Sequence, residues 1–325
     1  MTATDNRNRL LAAPIVPIVA PMWLGAERHG AELGATALHE ALRAIWTPQH
    51  VGRRHADRLR TPVPLACPVP DDAERRIDHR NLAFREPILE SACTHAELTC
   101  EAIEAGALPV TIGGDHALAF GAMTGVAMAS ERPGVIWLDT HPDLNTPASS
   151  PSGHMHGMPL ATAIGLEGSA LPELGERAGR TQMVDPGDVV MLGIRDIDPG
   201  EREVILSERM WALPMEEWND TGIERGLNQA LAYLADRGVT AVHVSFDIDV
   251  LDPSVVPGTG TKTPGGLSYR EASQVLRRLG AWDGPIVSFE MVELNPLLDT
   301  TGHSTQIASL LLATALGMRM LPPRD

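Results

Sequence analysis

Five short apolar runs recur along the chain, and each ends in a cluster of Gly, Asp, His or Glu. They are PVTIGGDH (109–116), GVIWLDTHPD (134–143), DVVMLGIRDID (188–198), AVHVSFDIDV (241–250) and GPIVSFEMVE (284–293). Their bodies are aliphatic and β-branched, the composition of strands. Between most of them lie stretches of helical periodicity, at 117–129, 200–206, 222–236 and 269–279, and a last one covers 303–319. Continuous apolar strands are covered on both faces, and strands that alternate with helices pair in parallel. The expected fold is therefore α/β, a three-layer α/β/α arrangement with a mostly parallel central sheet. A closed barrel of eight strand–helix units would place its site at the same strand ends. The six or seven candidate strands favour the open sheet.

Upstream, 34–45 and 87–105 read as helices. Residues 47–86 are rich in Pro, Arg and Asp and read as a surface excursion with a short strand near Val63–Cys67. The apolar stretch Leu10–Leu24 contains Pro14, Pro17 and Pro21, which interrupt the helix of a signal peptide. It is also shorter than the ~20 residues a membrane span needs. It reads as a strand and loop entering the core, and no membrane partner is expected. No repeat or linker divides the 325 residues, so a single domain over 1–325 is expected. The net charge of −16, from 26 basic and 42 acidic residues, argues against nucleic-acid binding, which needs a basic surface. Three cysteines without CxxC spacing argue against a disulfide scaffold and fit a reduced, cytoplasmic location.

The polar clusters lie at the carboxyl ends of the runs, where open parallel sheets place their sites. Residues 139–143 read Asp-Thr-His-Pro-Asp. Alternate side chains of an extended chain share a side, so Asp139, His141 and Asp143 are expected to project together if the strand stays extended through them. Asp247 and Asp249 repeat the device, and His116 ends a third run after Gly113 and Gly114. Singly, a GGDH turn or a DxD pair is more often a cap or a loop. Together they bring four carboxylates and two imidazoles to one sheet edge. Such carboxylates repel one another unless protonated or bound to cations. The mixed O/N donor set suits Mn²⁺, Zn²⁺, Fe²⁺ or Co²⁺, and the excess of carboxylate with no cysteine favours Mn²⁺. Two such ions can acidify a shared water.

The blocks GGDHAL (113–118), DTHPDLNTPASSPSGHMHGMP (139–159), SFDIDVLDPSVVPGTGTKTPGGLSYREA (245–272) and VELNP (292–296) resemble the ureohydrolase family of arginases, agmatinases and formimidoylglutamases. LGAERHGAELG (24–34) and LGIRDIDPGE (192–201) extend the resemblance over nearly the whole chain. It implies an arginase-like fold and two Mn²⁺ per subunit, held by His116, Asp139, His141, Asp143, Asp247 and Asp249. It implies attack of metal-activated water on a guanidinium or amidine carbon, releasing urea in most members. His156 then matches a proton-shuttling histidine and Glu293 the carboxylate that pairs with the guanidinium. Asp143 joins them as a catalytic residue. The family's oligomers imply a homotrimer or homohexamer.

Within the family, Asn145 and Ser152 resemble arginase residues for the substrate α-carboxylate, Asp198 one near the α-amino group, and Thr261 part of the same pocket. The expected reaction is hydrolysis of L-arginine to urea and L-ornithine. His154 departs from this pattern, because arginases usually carry asparagine there. That leaves open a modified arginine or another guanidino compound, such as Nω-hydroxyarginine, guanidinobutyrate or agmatine. A non-catalytic oligomeric member would have lost ligands, yet all six, with His156 and Glu293, are present. A single-zinc deacetylase would use fewer carboxylates.

Overall fold

The structure, a computed structural model, describes residues 8–68, 82–319 and 321. Eight strands form one sheet: β1 (Ile15–Ala20), β2 (Val63–Pro64), β3 (Leu108–Gly113), β4 (Pro133–Leu138), β5 (Val189–Leu192), β6 (Trp211–Leu213), β7 (Ala241–Asp247) and β8 (Ile286–Val292). Their order is β2-β1-β3-β8-β7-β4-β5-β6, and every neighbouring pair is parallel. The helices are α1 (Ala31–Ile45), α2 (Pro48–Val51), α3 (Arg53–Ala56), α4 (Arg85–Glu104), α5 (Leu118–Ala129), α6 (Pro159–Ala163), α7 (Glu173–Arg177), α8 (Pro199–Ser207), α9 (Met215–Thr221), α10 (Ile223–Arg237), α11 (Tyr269–Gly280) and α12 (His303–Ala315).

The two faces of the sheet feed two cores. In β4, Ile136 and Leu138 join Leu38 and Leu42 of α1, Leu231 of α10, Val275 of α11 and Leu311 of α12. The alternate residues Val135 and Trp137 join Ile88 of α4, Phe120 of α5 and Leu174 of α7. β5 divides in the same way, with Val190 and Leu192 on one side and Val189 and Met191 on the other. This two-sided burial is what the continuous apolar runs require. The helix pair α4 and α5 closes tightly because α5 carries Gly121 and Gly125. A Cβ at Gly125 would stand 2.6 Å from the Ala96 carbonyl oxygen, inside van der Waals contact.

The central strands differ. β7 turns Val242, Val244 and Phe246 into the first core, and β8 does so with Phe289 and Met291. Their other faces, and that of β3, carry His243, Ser245, Ser288, Glu290 and Thr111, all buried. A polar layer therefore lies inside the molecule, beside the carboxyl ends of β3, β8, β7 and β4.

Two expectations need correction. β6 was not among the candidate strands, because its three residues at the sheet edge carry too little pattern. The extended run through Asp139, His141 and Asp143 is absent, because β4 stops at Leu138 and Asp143 adopts φ 51 in the left-handed region. In the excursion at 47–86, α2, α3 and β2 are present, whereas 69–81 lies outside the described residues.

Candidate metal centre

Four strand ends supply the site. After β3, Gly114 packs its backbone against the chain leaving β1. A Cβ there would stand 1.9 Å from the Met22 carbonyl oxygen, so only glycine fits. This turn delivers His116, 1 % exposed, just ahead of α5. After β4, Asp139 Oδ1 accepts the His141 backbone N–H at 2.7 Å, and the loop curls back to present Asp143. At the end of β7, Asp247 Oδ1 accepts the Asp249 N–H at 2.8 Å and tightens a helical turn. Beyond β8, Glu293 takes φ 65 and donates its N–H to the Gly114 carbonyl at 2.7 Å. Its Oε1 accepts the His116 N–H at 2.8 Å.

The ligand set expected from sequence comes together. His116 Nδ1 lies 3.0 Å from Asp139 Oδ2, 3.1 Å from Asp143 Oδ2 and 3.1 Å from Asp247 Oδ2. His141 Nδ1 lies 3.4 Å from Asp139 Oδ1 and 3.3 Å from Asp249 Oδ2. Two groups of donors result, His116–Asp139–Asp247 and Asp139–His141–Asp249, with Asp139 in both. Despite this crowding, His116 Nδ1 and Asp139 Oδ2 are buried and make no hydrogen bond of acceptable geometry. Donors about 2.1 Å from one cation and at right angles to each other stand about 3 Å apart. Atoms so spaced and so unpartnered fit ion ligands better than an ion-pair network. The electrostatics agree. Burial and the charges of Asp249 and Asp139 push the Asp247 carboxyl well above its ordinary range. Burial and Asp139 push Asp143 up. Divalent cations relieve that conflict.

Beside the cluster, His156 Nδ1 meets Glu293 Oε1 at 3.0 Å. Burial acts to lower His156, but the Glu293 carboxylate outweighs it and brings the imidazole up to about 9. Burial and the Glu293 charge push Asp115 up to about 6. Asp115 accepts the N–H groups of Ala26 and Ala117 at 2.9 and 3.0 Å, and Gly25 accepts the His156 N–H at 3.2 Å. The loop after β1 therefore ties the His116 turn to the His156 segment.

A cavity of about 180 Å³ opens on the cluster, and Asn145, Ser152, Asp198 and Thr261 line it as expected. Asn145 Nδ2 donates to Asp198 Oδ2 at 2.9 Å, so these two meet directly. Thr261 donates to Asp249 Oδ2 at 2.9 Å, which places its hydroxyl on the ligand set. His154 lies in an adjoining cavity of about 290 Å³ with Glu293 and Arg28, its ring 5.9 Å from that of His156. A larger depression of about 640 Å³ near Leu166 has Glu167 as its one titratable wall, so chemistry rather than size marks the site.

Sequence reasoning missed four residues. Glu201, 3 % exposed, accepts the N–H groups of Leu144 and Asp198, both at 3.0 Å. Its signal was the PGE step, which opens α8 as a capping box. Trp137 stacks on the His116 ring at 4.3 Å and 2°, but read as an ordinary strand residue. Ser245 and Glu290 contact the far side of His116, at 2.7 and 3.8 Å from its Nε2. Polar residues at alternate positions in SFD and SFE were their signal.

The arginase family model matches residues 13–317. The arginase of Bacillus caldovelox is 35% identical over 311 residues, covering 95% of this chain and 99% of that one. The arginase of Staphylococcus aureus strain COL is 39% identical over 314 residues, covering 94% and 97%. Among solved structures, the native Bacillus caldovelox arginase superposes with a TM-score of 0.84 at 33% identity, covering 95% of this chain and 100% of that one. The Entamoeba histolytica arginase, solved in complex with L-ornithine, gives a TM-score of 0.83 at 26% identity over 95% and 100%. With matches of this length and identity, the chain belongs to the arginase family.

Proposed function

We propose that this chain is a binuclear manganese hydrolase that converts L-arginine and water to L-ornithine and urea. The observation that carries the reading is the His156–Glu293 pair, 3.0 Å apart, beside two donor groups that share Asp139. Relatives named arginase at 35–39% identity, and the Entamoeba histolytica arginase solved with L-ornithine at 26% identity, support the same substrate. The proposed ligands are His116, Asp139, His141, Asp143, Asp247 and Asp249. Two divalent ions held there would supply a nucleophilic water at neutral pH.

The protein's own groups do the rest. Glu293 holds the planar guanidinium through its carboxylate. Asp143, at the cluster's edge, accepts a hydrogen bond from the attacking water. As the bond from the guanidino carbon to the ornithine nitrogen breaks, His156, charged at neutral pH through its pairing with Glu293, gives its proton to the leaving amine. Asn145, Ser152 and Asp198 hold the α-carboxylate and α-amino ends, and Thr261 steadies Asp249. The whole chain is taken as one unit, a homotrimer or homohexamer in the cytoplasm. Three free cysteines accord with that compartment. No helix among the described residues is long and apolar enough to cross a membrane.

His154, in the cavity shared with Glu293, motivates a second reading in which a substituted arginine or another guanidino acid is preferred. Manganese-loaded protein should release urea from arginine faster than it releases urea from agmatine or guanidinobutyrate or hydroxyurea from Nω-hydroxyarginine, and a chelator should abolish the release. A higher kcat/KM for one of the other compounds selects the second reading. Absence of urea or hydroxyurea from all four defeats both.

A further inference from the structure

The polar layer inside the central strands reaches the metal centre from behind. His116 Nε2 lies 2.7 Å from Ser245 Oγ, and Ser245 donates to Glu290 Oε1 at 2.7 Å. Ser245 has a single proton, and its geometry gives that proton to Glu290. The short contact to His116 is then a hydrogen bond from the ring N–H to the serine oxygen. A neutral imidazole with its proton on Nε2 has a bare lone pair on Nδ1. That is the atom facing Asp139, Asp143 and Asp247.

Glu290 is costly where it stands. It is fully buried, its Oε2 has no hydrogen-bond partner, and His243 Nε2 lies 3.1 Å from its Oε1 without hydrogen-bond geometry. An under-satisfied buried carboxylate destabilises a fold. On the same face of the sheet, β4 places Val135 and Trp137. Packing alone would favour an apolar residue at 290 as well, so the carboxylate must act on something beyond the core.

We propose that Glu290 is a positioning residue of the metal centre, which through Ser245 fixes His116 in the tautomer that leaves Nδ1 free for an ion. The inference rests on the two-ion reading of the site and adds a layer behind its ligands. Replacing the carboxylate with an amide reverses the relay. A glutamine donates to Ser245, the serine proton turns toward His116 Nε2, and the ring proton moves to Nδ1.

The test is metal uptake in the absence of substrate. Metal-stripped wild-type protein titrated with Mn²⁺ against a chromophoric chelator should take up two ions. Glu290→Gln should weaken one of them by about 10–100-fold, the scale seen when the outer partner of a metal-bound histidine is lost. Glu290→Asp, which keeps the charge, should restore most of that loss. At a pH high enough for the His116 ring to be neutral, its ¹⁵N shifts in the metal-free protein should report the proton moving from Nε2 to Nδ1 in Glu290→Gln. A merely structural role would shift thermal stability and leave the tautomer alone. Wild-type affinity for both ions in Glu290→Gln overturns the inference. If that variant does not fold, Ser245→Ala decides, because unchanged affinity there also overturns it. A wild-type protein that binds no ion overturns the metal reading itself, and this inference with it.

Discussion

His156 is the residue whose chemistry depends most on one neighbour. With Glu293 at 3.0 Å its imidazole sits at about 9 instead of the ordinary 6.5, burial opposing and the carboxylate prevailing. A raised histidine contributes stability that is fully present below pH 6.5 and is lost as pH climbs through about 9. In metal-free protein, the Tm gap between wild type and His156→Ala should therefore narrow across that window. A gap that stays constant from pH 6 to 10 would show that the pair contributes no such linkage. In the loaded enzyme His156→Ala should lower kcat by roughly 10²–10⁴, the usual worth of a positioned general acid, with KM changed little. The sequence pointed to both partners because they sit in long, specific blocks. It gave no sign that Glu293 adopts φ 65, or that Asp115 is drawn into the same cluster. Those features depend on how close β3 and β8 lie, and no pattern within either strand reports that distance.

Among the elements, the strands with strong patterns were legible and the joints between them were not. β3, β4, β5, β7 and β8 are apolar over several residues, so their existence and parallel pairing follow from burial on both faces. The segment 139–143 was read as extended because alternation is the simplest way to gather side chains on one side. Instead a turn gathers them, held by Asp139 accepting the His141 N–H and by Thr140 donating to Asp249 at 3.2 Å through its N–H and 2.8 Å through its hydroxyl. The polar alternation of His243 and Ser245 in β7 was in plain view, but apolar neighbours on the opposite face masked it. Glu201 shows how elements cooperate. Its two oxygens receive Leu144 from the β4 loop and Asp198 from the start of α8, binding together the two segments that carry Asn145 and Asp198. Glu201→Ala should therefore separate those segments while the ligand cluster stays intact. The expected result is a KM for arginine raised about tenfold, the equivalent of one hydrogen bond of about 1.4 kcal/mol, with kcat within a factor of two. An equal fall in kcat, or loss of an ion, would mean that Glu201 acts on the chemistry instead.

At the scale of the molecule, the metal centre joins strands far apart in sequence, so ion binding should act as a cross-link on the whole fold. An ion present at about 1,000 times its Kd adds about 4 kcal/mol to the stability of the state that binds it. Unfolding entropy near 60 °C is about 2.1 cal/mol/K per residue, or about 0.7 kcal/mol/K for 325 residues. Each ion should thus raise Tm by about 6 °C, and two by about 12 °C. The donor groups then predict how single substitutions divide that shift. His116 belongs to one group and His141 to the other, whereas Asp139 belongs to both. His116→Ala and His141→Ala should each keep about half of the manganese-dependent rise. Asp139→Ala should lose nearly all of it, although it removes only one side chain. Differential scanning calorimetry with and without manganese on the three variants measures this directly. If Asp139→Ala keeps a rise as large as either histidine variant, Asp139 does not serve both groups, and the two ions are held more independently than the geometry indicates.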